Sequence, residues 1–130
     1  MSLLRSVTVP SLPAARLEPI VGTERYRRLL ATADDFRRRL AGRTIWNINS
    51  TAVGGGVAEM LQCLVGYTDG LDVPIRWTVI GGDADFFAIT KRLHNQIHGY
   101  AGGVGSLGTA EAEHYAKILE ANAAELRDRV

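Results

Sequence analysis

The sequence predicts an α/β fold around parallel strands, and three observations carry that prediction. Two runs, Thr44 to Asn49 (TIWNIN) and Ile75 to Ile80 (IRWTVI), are rich in β-branched and aromatic residues. Each is followed by glycines and then by apolar residues at helical spacing. The stretch between them is long enough to hold a crossover helix, and a strand–helix–strand unit of this kind is parallel and right-handed.

Ser6-Val-Thr-Val9 alternates polar and β-branched residues and stops at Pro10, which predicts a short first strand. Pro10 to Ile20 carries three prolines and reads as an extended connector. Thr23 is a good N-cap for a helix in which Tyr26, Leu29, Leu30, Ala33, Phe36 and Leu40 form an apolar stripe ended by Gly42. Arg37-Arg38-Arg39 then forms a solvated face near its C-terminus, where the helix dipole favours cations.

Thr44 to Asn49 reads as a buried strand, with Ile45, Trp46 and Ile48 in packed positions. A glycine-rich turn leads into a helix from Val57 to about Tyr67, with Val57, Met60, Leu61, Leu64 and Val65 on its apolar side. After the Ile75–Ile80 strand, Asp83 caps a helix whose stripe is Phe86, Ile89, Thr90, Leu93 and Ile97. Tyr100 to Gly108 is a glycine-rich, flexible loop. Thr109 and Glu111 open a last helix with Tyr115, Leu119, Asn122 and Leu126 at periodic positions. Two parallel strands and one short extra strand are few for such a sheet, so the chain reads as the front of a larger doubly wound domain.

At 130 residues the chain has the size of one domain, and 46% hydrophobic with 22% charged residues describes a globular protein. Fifteen basic residues against fourteen acidic ones argue against nucleic acid as a partner. No run reaches the length of a membrane span. The single cysteine, Cys63, excludes an intrachain disulfide and fits a reducing, cytoplasmic setting. Met1 to Arg16 has no acidic residue, but Pro10 and Pro13 interrupt the amphipathic helix a transit peptide would need.

Gly54, Gly55 and Gly56 lie between a strand and a helix, where glycines serve either close packing or the approach of a ligand to free amides at a positive helix end. Their spacing matches neither the dinucleotide fingerprint nor the phosphate-binding loop with its lysine. Lys91, His94, Asn95 and His98 share one helical face, either a solvated surface or a source of donors for sugar hydroxyls and anionic oxygens. The histidine spacing suits a metal pair, but no nearby carboxylate completes the set, and no metal or cofactor is expected. Asn49 and Ser50 stand at the carboxyl end of the first parallel strand, where open α/β sheets bind ligands.

The run from Trp46 through Asn49-Ser-Thr-Ala-Val-Gly-Gly-Gly56 to Leu61 resembles the first strand, loop and helix of retaining trehalose synthases of the glycosyltransferring type and of the related trehalose phosphorylases, both family 4 glycosyltransferases. Arg76-Trp77, Ile80-Gly-Gly-Asp83, Phe86-Phe87 and Thr90-Lys-Arg-Leu-His-Asn95 to His98-Gly99 are similar to the same family's second strand and helix, and the segment from Tyr26 to Arg43 is similar as well. The resemblance implies a two-domain enzyme of facing Rossmann-like halves, the GT-B arrangement, in which this chain is the incomplete N-terminal domain. It implies transfer of glucose from a nucleoside-diphosphate glucose to glucose with retained configuration, or, in the phosphorylase branch, between trehalose and phosphate.

Gly54, Gly55 and Gly56 match the loop beside the donor's phosphate and sugar, and Asn49, Ser50, Lys91, His94 and Asn95 fall by motif position in the acceptor-sugar pocket. The family's basic nucleotide-gripping residues and acidic pair belong to the half this sequence lacks. The chain alone is therefore expected to turn nothing over, and no catalytic residue is assigned to it. Gly81 stands where the family's pattern has an acidic residue. The alternative is a non-catalytic module that pairs with its own copies through an open strand edge.

Overall fold

The IRWTV run is the centre of the sheet. Trp77, Thr78 and Val79 are all buried, because a central strand is covered on both faces. The computed structural model describes residues 2–100 and 107–130. The described chain forms two compact units, Ser6–Val79 and Met1–Arg5 with Ile80–Val130.

In the first unit the strands β1 (Arg5–Val7), β2 (Ile45–Asn49) and β3 (Ile75–Val79) form a sheet in the order β1-β3-β2. β2 and β3 are parallel, in register from Ile45 against Ile75 to Asn49 against Val79. The crossover between them carries α3 (Gly56–Asp69), preceded in the chain by α1 (Glu18–Val21) and α2 (Thr23–Leu40). Ala58, Leu61 and Val65 of α3 pack on Trp77, Val79 and Ala52, with Val7, Val9 and Ile75 at the margin. Each large side chain buried there contributes about 2 kcal/mol. The fold is thus mixed α/β with a parallel pair at its centre.

Several sequence expectations need correction. β2 is an edge strand, not a buried one, so Ile45 and Trp46 are only half-buried and Ile48 is exposed. The apolar arc of α3 is wider than the sheet it covers. Its buried face is Ala58, Leu61, Val65 and Gly66, while Val57, Met60 and Leu64 stay in solvent.

Pro10 to Ile20 is not extended throughout. Ala14–Leu17 makes a 3-10 turn and Glu18–Val21 the short α1, where Pro19 sits in the first turn that its fixed φ suits. Thr23 does not cap α2. Gly22 holds φ +86° between the two helices, so Thr23 is already inside the helix and Gly22 takes the cap position. The α2 stripe buries only Ala33, with Leu30 and Phe36 exposed.

In the second unit, α4 (Ala84–Ile97) and α5 (Thr109–Arg127) pack together, and the Phe86 and Tyr115 rings stack at 5.5 Å. Asp83 caps α4 as the sequence predicts, its Oδ1 accepting the Phe86 amide at 2.8 Å. Gly108 precedes α5, and its amide donates to Glu111 at 2.9 Å. Ile97, the last residue of α4, is exposed rather than buried. Glu125 of α5 accepts the amides of Leu3 and Leu4 at 2.7 and 3.1 Å together with the Ser2 hydroxyl. The expected loop from Tyr100 to Gly108 includes residues 101–106, which lie outside the described residues. Among the described residues no helix is long and apolar enough to cross a membrane.

Candidate functional site

The carboxyl end of β2 is built around Asn49. Its Oδ1 accepts the Trp77 indole N–H at 2.8 Å, and its Nδ2 donates to the Thr51 carbonyl at 2.7 Å. The Thr51 hydroxyl accepts the Val53 amide at 3.2 Å and donates to the Val53 carbonyl at 2.7 Å, closing a tight turn. Ala52 points inward and anchors this turn to the core. Ser50 is exposed beside it. Asn49, expected as a sugar contact, thus gives one donor and one acceptor of its amide to the fold.

Gly54 and Gly55 follow with φ of +76° and +80°, values that favour glycine. Gly55 is the N-cap of α3, and no side chain caps this helix end. The amides of the first turn have no intrahelical acceptor and carry the positive end of the dipole. A Cβ placed on Gly54, Gly55 or Gly56 would meet nothing within 4 Å. Close strand–helix packing therefore does not explain the triplet. Gly56 differs from its neighbours in that its backbone lies outside the left-handed region, while its surroundings are as open as theirs. Neither conformation nor crowding within the chain requires glycine there.

The glycines at the end of β3 have the opposite character. A Cβ on Gly81 would stand 2.3 Å from the Leu3 carbonyl, and one on Gly82 would stand 2.4 Å from the Phe86 ring. Both are packing glycines, which accounts for glycine where the resemblance calls for an acid at position 81. Asn122 holds Gly81 from both sides, accepting its amide at 3.0 Å and donating to its carbonyl at 2.8 Å. Sequence periodicity counts Asn122 as one more inward position. The readable signal was its polarity, since a buried amide must be paired.

Asp83 also accepts from His114 Nε2 at 2.8 Å. That contact, followed by the Phe86 amide, holds its carboxyl below the ordinary value. Asp83 and His114 thus form a helix-end pair that the sequence did not suggest.

Lys91 and His94 are exposed on α4, His98 is exposed at its C-cap and Asn95 is half-buried, with the His94 and His98 rings 4.4 Å apart. They share one face of the helix, as their spacing predicts. Among the described residues no three His, Cys, Asp or Glu side chains come together as metal ligands. The structure brings Asn49, Ser50 and Gly54–Gly56 together in the first unit, and Lys91, His94 and Asn95 together in the second. Cys63 is exposed on α3. A groove of about 420 Å³ in the first unit, lined by Thr44, Asp69, Pro74 and Arg76 among others, opens at the amino ends of β2 and β3, away from the glycine turn.

Residues 47–130 match the family model described as trehalose synthase, N-terminal domain. The trehalose synthase of Pyrococcus horikoshii is 39% identical over 80 residues, 62% of this chain and 18% of that protein. The trehalose synthase of Rubrobacter xylanophilus is 37% identical over 73 residues, 56% of this chain and 18% of its own length. The trehalose phosphorylase of Pleurotus pulmonarius is 33% identical over 81 residues, 62% of this chain and 11% of that enzyme. The chain thus spans less than a fifth of the length of these relatives. The matched residues hold the glycine turn, β3, α4 and α5, and the chain belongs to the trehalose synthase N-terminal domain family.

Proposed function

We propose that this chain forms the donor-facing wall of a retaining glucosyltransferase that makes trehalose from a nucleoside-diphosphate glucose and glucose. The observation that carries the reading is Gly56, a glycine that nothing inside the chain requires, at the uncapped start of α3. A ligand drawn close to the backbone is what such a position admits. The amides from Gly54 into the first turn of α3 would donate hydrogen bonds to the oxygens of the donor's diphosphate and hold them as charge develops on the leaving group. Lys91, His94 and Asn95 supply donors for sugar hydroxyls on their own helix face.

In this reading glucosyl transfer occurs on one face of the sugar, and this chain supplies no nucleophile to it. The parallel β2–α3–β3 unit is in this reading part of a Rossmann-like half in a GT-B enzyme, with the ligand at the carboxyl ends of its strands. A nucleotide-sugar substrate fits a cytoplasmic setting. A phosphorylase would place inorganic phosphate on the same amides. The synthase reading is preferred because identity to the synthases is higher, 39% against 33%.

A competition titration of the chain tests the choice. Binding of a nucleoside-diphosphate glucose that inorganic pyrophosphate displaces supports the synthase reading. Binding of inorganic phosphate with no response to the nucleotide sugar would favour the phosphorylase, and silence toward all three would remove both.

A further inference from the structure

The C-terminal turn of α4 carries two imidazoles on one face. His94 lies in the last turn and His98 is the C-cap, and the His98 amide donates to the His94 carbonyl at 3.1 Å, which keeps the two residues one helical turn apart. This helix end is closed rather than frayed. The Gly99 amide donates to the Gln96 carbonyl at 3.0 Å and the Tyr100 amide to the Asn95 carbonyl at 2.9 Å, with Gly99 at φ +75° turning the chain away. The backbone under both histidines is therefore fixed, and only their side-chain torsions remain to be set.

The ring centres stand 4.4 Å apart with their planes inclined at 55°, so the rings are neighbours without being stacked. An imidazole nitrogen about 2.1 Å from a metal ion puts its ring centre about 3.2 Å from that ion. Two such rings at a right angle about one ion lie roughly 4.5 Å apart, and two at the tetrahedral angle roughly 5.2 Å. The observed separation matches the right angle, the one found in square-planar and octahedral coordination. Both histidines are exposed, so an ion reaches them from solvent, and the C-terminal end of a helix favours positive charge. Lys91, one turn before His94, opposes the ion with its own charge, but it is exposed on a flexible stem that turns aside.

We propose that His94 and His98 form a site for a divalent transition-metal ion, the two imidazoles taking adjacent positions and water the others. Among the described residues no three His, Cys, Asp or Glu side chains come together as ligands, so the ion exchanges freely and is not a resident cofactor. Two nitrogen donors select nickel or copper over magnesium and calcium, which take oxygen ligands. The second imidazole binds intramolecularly, so the pair holds the ion at least tenfold more tightly than either ring alone.

The site is independent of the glucosyl-transfer reading, because the ion is titrated without sugar. Calorimetric titration of the chain with nickel(II) is the test, alongside His94→Ala, His98→Ala and, as a control on the third histidine, His114→Gln. Circular dichroism establishes that each variant is folded. The expected result is one site that the two alanine variants each weaken tenfold or more and His114→Gln leaves unchanged, with paramagnetic broadening of amide signals centred on the last turn of α4. No binding, binding that only one of the two alanine variants weakens, binding that follows His114, or broadening centred elsewhere overturns the proposal.

Discussion

The indole N–H of Trp77, in the buried centre of the sheet, donates to Asn49 Oδ1 at 2.8 Å, and this bond fixes where the glycine turn begins. The donor is buried and the acceptor is half-exposed, so the two partners are not equivalent. Asn49→Ala strands a buried N–H and should cost about 2 kcal/mol in urea denaturation. Asn49→Asp keeps the acceptor and should recover most of that loss at neutral pH.

Gly55 and Gly56 should respond to alanine in opposite directions. Gly55 sits at φ +80°, where a side chain strains the backbone, so Gly55→Ala should destabilise by about 1 kcal/mol or more. Gly56 begins the helix with ordinary backbone and open space, so Gly56→Ala should stabilise by about 0.5 kcal/mol. Thermal melts of the two variants check the sign. A natural sequence that keeps the less stable residue at position 56 is consistent with selection for something other than folding.

Thr78 is fully buried and its hydroxyl has no hydrogen-bond partner among the described residues. Thr78→Val preserves the shape and removes the unpaired group, and it should raise stability by about 1 kcal/mol. A fall in the urea midpoint would show that the hydroxyl is satisfied in solution.

Asn122→Ala removes both bonds to Gly81 and a third to the Ile118 carbonyl. The loss leaves an amide and a carbonyl unpaired in a buried setting and should cost roughly 3 kcal/mol. Hydrogen exchange at the Gly81 amide should rise with it.

Acid should release residues 2–4 from α5. The Ser2 hydroxyl, then the Leu4 and Leu3 amides and Arg129, hold the Glu125 carboxyl at about 2 against an ordinary 4.5. Because the folded value is the lower one, the unfolded chain takes up the proton first as pH falls. The clamp's stabilisation is complete above 4.5 and is lost as pH drops toward 2. Glu125→Gln should flatten the pH dependence of stability in that window and leave the Leu3 and Leu4 amides faster to exchange at neutral pH.

The parallel pair, the crossover helix between its strands and the Asp83 cap were legible because each rests on local chemistry: β-branched runs, crossover length and a carboxylate one turn before Phe86. Periodicity did less well, since it gives the direction of an apolar arc and not how much of it meets a neighbour. Val57, Met60, Leu64 and Ile97 belong to such arcs and lie in solvent. Asn49 illustrates a second limit. An asparagine at a strand's carboxyl end reads equally as a ligand contact or a brace, and the brace becomes visible only with the position of Trp77. Gly81 is a third case, because its crowding comes from Leu3, nearly eighty residues away in sequence.

Amide-resolved NMR of the chain titrated with a nucleoside-diphosphate glucose tests the central claim most directly. The account predicts saturable shifts centred on Gly54, Gly55, Gly56 and Val57 that Gly56→Leu abolishes while the melt stays cooperative. Shifts centred instead on the groove at Thr44 and Arg76, or a Gly56→Leu chain that binds as well as the parent, would contradict it.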